Sequence, residues 1–310
     1  MKVLFAAQDP GGRNAITPVI EALKAEGAEV GESITAPDIF IAGTSAGDSP
    51  DKHIMSDLGK IPSLYVLDFW LNYWQRFSSP GKKDFAYLPT RICVMDDTAR
   101  DEMIAEGFPP ERLVVTGNPH FDHFADTVTR ENEEAARILF VSQPIRAVAD
   151  LSGYAQAAHD EYAALADVLH ALETLPERYY VSLRLHPKEP ADKYEDYLGP
   201  RVRRAPEPTL EEALSHSGLI IGISSPVLLQ AVAAGKKVLS YEPNLAGKDP
   251  LVSNRVGVTT LIRDKEALID AFSAYARGEW PFTARPVREM WPSGATERVV
   301  KEVHALAGHI

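Results

Sequence analysis

The chain has 310 residues, 45% of them hydrophobic and 25% charged, a size and balance that fit two ordinary domains and exclude disorder, collagen and a disulfide-stapled scaffold. Its formal net charge of −12 excludes nucleic acid as an expected partner and leaves only peripheral membrane contact, so a small-molecule substrate is expected, with phosphate-binding cations gathered locally. A single cysteine closes no internal disulfide, the amino-terminal apolar run is too short for a signal peptide, and no stretch of about 18 apolar residues spans a membrane; a cytoplasmic setting is expected.

Short apolar runs alternate with helical spacing from end to end, the pattern of parallel sheets with helices on their faces. Val3 to Ala7 reads as the first strand, followed by a helix marked by Ile16, Val19, Ile20 and Leu23. Ile39 to Ala42, Ser63 to Leu67, Arg91 to Met95 and Leu113 to Thr116 read as further strands, with a short helix over Thr98 to Glu106. Cys93 lies in the apolar run from Arg91 to Met95 without an activating base beside it, so a buried strand thiol is expected. The charged stretch Asp122 to Ala136 reads as a linker helix between domains 1–126 and 127–310. The alternation then restarts: strands at Ile138 to Ser142, Tyr180 to Leu185, Leu219 to Ile223 and Lys237 to Tyr241, with helices between them.

Ligands of open α/β sheets bind beyond the carboxyl ends of the strands, so the loops leaving those ends carry the candidates. The first is Gln8 to Asn14, where Gly11 and Gly12 permit close approach of a backbone and Arg13 adds a cation; a tight turn explains the glycines equally well. The second is Ser224-Ser225-Pro226, a hydroxyl pair before a helix, with simple capping as the bland alternative. The third is Arg184, His186 and Lys188, which share one face if the backbone is extended and would then offer a cationic face to a diphosphate. Trp70, Tyr73, Trp74 and Phe77 fall on one helical stripe and read either as core or as a stacking surface for an acceptor. His120 and His123 lie three apart without cysteine partners, and no metal site is expected; the zinc-protease, nucleophile-elbow, P-loop and dinucleotide motifs are absent.

Taken in order, Thr116-Gly117-Asn118-Pro119, Ser142-Gln143-Pro144, Leu185-His186-Pro187-Lys188-Glu189 and Ser224 to Gly235 resemble the GT-B superfamily, among them capsule glycosyltransferases, CDP-glycerol glycerophosphotransferases and UDP-N-acetylglucosamine 2-epimerases. The resemblance implies two Rossmann-like βαβ domains facing across a cleft. Residues 1–126 would form the acceptor side, and residues 127–310 would bind the nucleotide donor and carry a closing C-terminal helix beginning near Ser293. It implies a nucleotide-activated sugar or polyol phosphate as donor, a hydroxyl acceptor and no required cofactor. It further implies donor contacts from Ser142, Gln143, Arg184, His186, Ser224, Ser225 and Gln230, and Gly11, Gly12, Arg13, Asn118 and Lys188 are donor-binding candidates beside them. Two departures stand out. Gln230 occupies a place where relatives commonly carry Glu, and the H-x-E-A-G-L-R signature of the 2-epimerases is missing where Ser63 to Asp68 stands.

The expected activity is transfer of a glycosyl or polyol-phosphate group in bacterial surface-glycan synthesis. Asp9 is the first candidate for general base because it leaves strand one directly, and Asp68 and His120 follow. Two alternatives stay open: a nucleotide-sugar epimerase or hydrolase, and a nucleotide-sugar-binding protein without turnover.

Overall fold

A computed structural model describes residues 1–129, 132–147, 160–243, 245, 249–290 and 293–308. The chain forms two compact units, residues 1–123 with 288–310, and residues 124–287.

The first unit is built on β1 (Lys2–Ala6), β2 (Glu29–Gly31), β3 (Ile39–Gly43), β4 (Ser63–Val66), β5 (Arg91–Val94) and β6 (Leu113–Val115). They make one sheet in the order β2-β1-β3-β4-β5-β6, with every pair parallel. Strands covered on both faces need continuous apolar runs, and all five residues of β3 are buried. Helix α1 (Pro10–Ala25) lays Ile16, Val19, Ile20 and Leu23 on this sheet. It starts six residues before the apolar spacing does. Pro10 suits the first helical position, and the Arg13 amide donates to the Asp9 carbonyl at 2.9 Å, so Gly11 and Gly12 form a helical turn rather than a loop. Further helices are α2 (Pro50–Leu58), α3 (Tyr73–Arg76), α4 (Asp97–Ala105) and α5 (Pro119–Thr127).

The second unit contains β7 (Glu134–Val141), α6 (Glu161–Glu173), β8 (Tyr180–Arg184), β9 (Val202–Arg204), α7 (Leu210–Ser215), β10 (Ser217–Gly222) and α8 (Pro226–Ala233). It is completed by β11 (Val238–Tyr241), α9 (Val252–Arg255), β12 (Thr260–Ile262) and α10 (Lys265–Ala276). Its sheet is again wholly parallel, in the order β12-β11-β10-β7-β8-β9. Its core gathers Ile138 and Phe140 of β7, Leu165 and Val168 of α6, and Leu268 and Phe272 of α10.

Two sequence expectations need correction. The charged stretch after Asp122 is not one linker helix: α5 ends at Thr127 and β7 begins at Glu134, four residues before its apolar run, because its exposed first residue pairs with β10 at Ser217. The closing helix α11 (Ala295–Ala307) belongs to the first unit, not to the second. Val299, Val300 and Val303 join the cluster of Ile16, Val19 and Ile20, worth roughly 1.5 kcal/mol or more per buried valine. Asp122 accepts the Gly294 and Ala295 amides at 2.9 and 2.8 Å, satisfying donors at the α11 N-terminus, and Arg298 donates to the Thr116 carbonyl at 2.8 Å.

Candidate functional site

A doubly wound sheet opens its binding crevice where the strand order reverses. In the first sheet the chain goes one way from β1 to β2 and the other way to β3, so the crevice lies at the ends of β1 and β3. There α1 packs very closely: a Cβ on Gly12 would lie 2.9 Å from the Thr44 carbonyl oxygen, and one on Gly43 only 2.3 Å from that of Gly12. Asp68, just beyond β4, points its Oδ2 at Gly11, where a Cβ would approach to 2.3 Å. Its Oδ1 accepts from the Thr44 hydroxyl at 2.8 Å and from Arg76 at 2.7 Å. Arg76 is buried, also donates to Thr44 Oγ1 at 2.7 Å, and is tied to the Leu71 carbonyl. One carboxylate oxygen is thus locked and the other faces the start of α1.

The other first-unit candidates are placed less centrally. Asp9 is the N-cap residue of α1 by backbone, but its side chain makes no capping bond. Arg13 turns back to the Ala7 carbonyl at 2.9 Å and to Glu32 at 3.0 Å, away from Gly11. Asn118 is buried and caps the His120 amide at 3.0 Å, which explains the Asn-Pro pair structurally. His120 is half-buried beside Phe121; the side chain of His123 lies outside the described residues. The aromatic stripe resolves as packing around a four-residue helix: Trp70, Tyr73 and Phe77 are buried, and Trp70 Nε1 donates to Asp96 at 2.9 Å. Cys93 is buried, and burial pushes its thiol up to about 12, so it is no nucleophile.

In the second sheet the order reverses between β7 and β10. Gln143, just past β7, bridges that point: its Oε1 accepts from the Ser224 amide at 2.9 Å. Ser225 caps α8 through its hydroxyl, which accepts from the Val227 amide at 3.3 Å. The Ser224 hydroxyl is buried and has no partner among the described residues, as has Oε1 of the buried Gln230. A buried, unspent hydroxyl next to a helix N-terminus is a ready partner for an anion.

The extended face proposed for Arg184, His186 and Lys188 does not form. Strand β8 stops at Arg184, and the chain turns so that the Glu189 amide donates to the His186 carbonyl at 2.9 Å. The Arg184 guanidinium is taken up by the carbonyls of Glu207 and Pro208, and Lys188 is exposed. His186 remains at the carboxyl edge, its basicity lowered by burial. Ser142 is also committed: it donates to Glu189 at 2.9 Å and pairs with Tyr194 at 2.7 Å. Thr44 and Arg76 join these sites without having stood out in the sequence, and Glu189, quoted there only as the end of the Leu185 to Glu189 motif, joins them through Ser142 and Lys193. Beyond β11, burial and the neighbouring Asp249 push Glu242 up to about 8.

No protein-family model matches the chain, and no curated protein matches it in sequence. Solved structures do match in fold. The UDP-GlcNAc 2-epimerase of Methanocaldococcus jannaschii, in complex with UDP-GlcNAc and UDP, aligns over 98% of this chain and 100% of its own at 13% identity and a TM-score of 0.67. The S. aureus MnaA–UDP co-structure aligns over 100% and 97% at 14% identity and 0.66. The glycotransferase of kitacinnamycin aligns over 98% of both chains at 13% identity and 0.55. The fold is therefore an α/β fold of the GT-B type, with two Rossmann-like domains.

Proposed function

We propose that the chain is an enzyme of nucleotide-activated sugars that breaks the anomeric C–O bond of its substrate and releases, at least transiently, a nucleoside diphosphate. The observation that carries this reading is the reversal point of the second sheet, where Gln143 fixes the Ser224 amide and the Ser224 hydroxyl stays unspent beside the α8 N-terminus. Charge developing on a departing diphosphate is stabilised by such fixed donors. His186, just past β8, is the side-chain donor assigned to the same carboxyl edge of the sheet. Asp68 is the carboxylate assigned to proton transfer, ahead of Asp9 and His120, because its orientation is fixed by Arg76 and Thr44 while Oδ2 is left to act.

The finer reading is epimerisation at the carbon beside the anomeric centre, supported by the epimerases among the structural neighbours. That carbon gives up a proton readily only if the diphosphate leaves with it, so the two requirements belong to one reaction. Transfer to a hydroxyl acceptor is the second reading, favoured by the absence of the H-x-E-A-G-L-R signature at Ser63 to Asp68.

A thermal-shift panel of UDP, CDP, GDP and dTDP identifies the base, since a ligand at a hundred times its Kd stabilises by about 2.7 kcal/mol. The matching nucleotide sugar is then incubated in D2O without acceptor. Deuterium at C2 with a C2 epimer establishes epimerisation; product only on adding an acceptor establishes transfer. No stabilisation by any nucleoside diphosphate would overturn the proposal.

A further inference from the structure

His186 sits on a turn whose geometry is set by a buried acidic side chain, and that side chain is over-engaged for a residue that merely closes a turn. The turn is already closed through backbone, Glu189 amide to His186 carbonyl at 2.9 Å. The Glu189 carboxylate, only 1% exposed, adds a second tie to the same residue, accepting the His186 amide on Oε2 at 2.7 Å. Its Oε1 accepts the Ser142 hydroxyl at 2.9 Å and a proton of Lys193 Nζ. Lys193 is shared with Glu161 at 2.6 Å, and Glu161 in turn accepts the Arg146 amide at 2.9 Å. A buried Glu–Lys–Glu triad is weak evidence for stability, since apolar residues of similar volume often serve as well. Here it joins the end of β7, the turn after β8 and the start of α6 into one rigid piece.

The consequence is read on the imidazole. The Lys188 amide donates to His186 Nδ1 at 3.1 Å, so Nδ1 must be unprotonated and the proton of the neutral ring resides on Nε2. Protonating Nδ1 would set two donors against each other and break that bond. Burial and the charges of Lys188 and Lys193 oppose the imidazolium, and Glu189 alone favours it.

Building on the function proposed above, we infer that Glu189 is a positioning residue that fixes the 186–189 turn so that His186 presents a neutral Nε2–H donor to the diphosphate of the substrate. Glu189 itself touches no substrate. It acts through the backbone of His186 and, by way of the turn, through the Lys188 amide on Nδ1.

Two measurements test this separately from the function. Long-range 1H–15N spectra of the ligand-free protein report the His186 tautomer. The wild type is expected to show Nε2–H alone, and Glu189→Gln a mixture of tautomers, because an amide cannot accept at all the sites the carboxylate serves. A wild-type Nδ1–H tautomer, or an unchanged single tautomer in the variant, would overturn the inference. Binding is then followed by calorimetry with UDP, pyrophosphate and uridine on His186→Ala, Glu189→Gln and the double variant. Each single change should weaken UDP and pyrophosphate about tenfold and leave uridine unchanged, with the double variant no worse than either alone. Additive losses would overturn the inference. Failure of all three probes to bind the wild type would defeat the proposed function while leaving the tautomer result to decide the role of Glu189. Should Glu189→Gln not fold, Ser142→Ala, which removes one tie to the same carboxylate, is read in its place for the tautomer and for UDP, and an unchanged tautomer there also overturns it.

Discussion

The two sheets place a helix N-terminus at the same topological point, yet they furnish it differently. In the first unit α1 comes so close that Gly12 and Gly43 touch through backbone, and the carboxylate of Asp68 occupies the ground before the helix. In the second unit a Cβ on Gly222 would meet nothing nearer than the Val141 carbonyl oxygen at 3.1 Å, and α8 opens on a serine hydroxyl without a partner. The first arrangement holds a negative charge and can take a proton; the second offers donors and can take an anion. Shared topology fixes where chemistry occurs, and the side chains at the reversal point fix its sign.

The comparison breaks most severely at Arg76. Both members of the Arg76–Asp68 pair are largely buried, with side-chain exposures of 8% and 14%. Removing one partner of such a pair costs about 3–5 kcal/mol, because the remaining charge is left unpaired. Arg76→Met is expected to lower stability by that order in chemical denaturation and to raise hydrogen exchange around β3 and β4. Near-native stability would mean that Asp68 does not need its cation, and the first-unit site would lose its physical basis.

A pair of glycine replacements sharpens the contrast. Gly43→Ala forces its methyl against the Gly12 backbone, with nothing flexible to give way, and overpacking of that kind costs about 1–3 kcal/mol or more. Gly222→Ala meets the Val141 carbonyl oxygen at 3.1 Å and Leu228 Cδ2 at 3.2 Å, contacts that a shift of a few tenths of an ångström relieves, so the cost is expected to be smaller than at Gly43. The difference in melting temperature between the two variants checks the claim. Equal shifts would remove the distinction between a closed and an open helix approach.

Much of the scaffold was legible because strands covered on both faces must be apolar throughout. Ile39 to Ala42 and Leu219 to Ile223 read as strands and fall within or beside β3 (Ile39–Gly43) and β10 (Ser217–Gly222). The closing helix can be seen in the sequence, but the sequence places it in the wrong unit. Its stripe of valines says that it packs, and only the Asp122 carboxylate on its first amides says where. The location of the candidate side chains was legible, since Asp68, Gln143, His186 and Ser224 all follow strand ends. Their partners were not. Arg76 reaches Asp68 from eight residues away and Thr44 from another strand, and neither link has a sequence period. Arg184 illustrates the opposite failure: strand alternation was extended past the point where the backbone turns, so a structural arginine looked like a phosphate ligand.

At the end of β11 the second unit buries a carboxyl, Glu242, beside Asp249. Burial and Asp249 raise Glu242 to about 8, above its ordinary value of 4.5. The folded state therefore binds more protons than the unfolded one over that range, and stability falls as pH rises from about 4.5 through 8. Glu242→Gln removes this dependence while preserving shape. It should flatten the decline in melting temperature between pH 5 and 8. Diphosphate binding should weaken in the wild type above pH 8 and not in the variant. Parallel pH profiles for the two proteins would remove Glu242 from the account.

The smallest effect is expected at Arg13, and it decides which unit holds the phosphates. The guanidinium is bound to the Ala7 carbonyl and to Glu32, with side-chain exposures of 51% and 56% for the pair, so solvent screens most of the attraction. Exposed pairs of this kind are worth about 0.2–1 kcal/mol, and Arg13→Ala should lower stability no further. Nothing in its bonding turns it toward Gly11 or Asp68, so affinity for UDP and pyrophosphate should remain within about twofold of the wild type, less than half a kcal/mol. Ser224→Ala, by contrast, deletes the unspent hydroxyl at α8 and should cost about tenfold, the usual worth of one hydrogen bond to a charged group. Calorimetry on both variants gives the answer directly. If Arg13→Ala proves the more damaging, the anion binds at α1 rather than α8, and the carboxylate of Asp68 would have to be read as its neighbour instead of as the base.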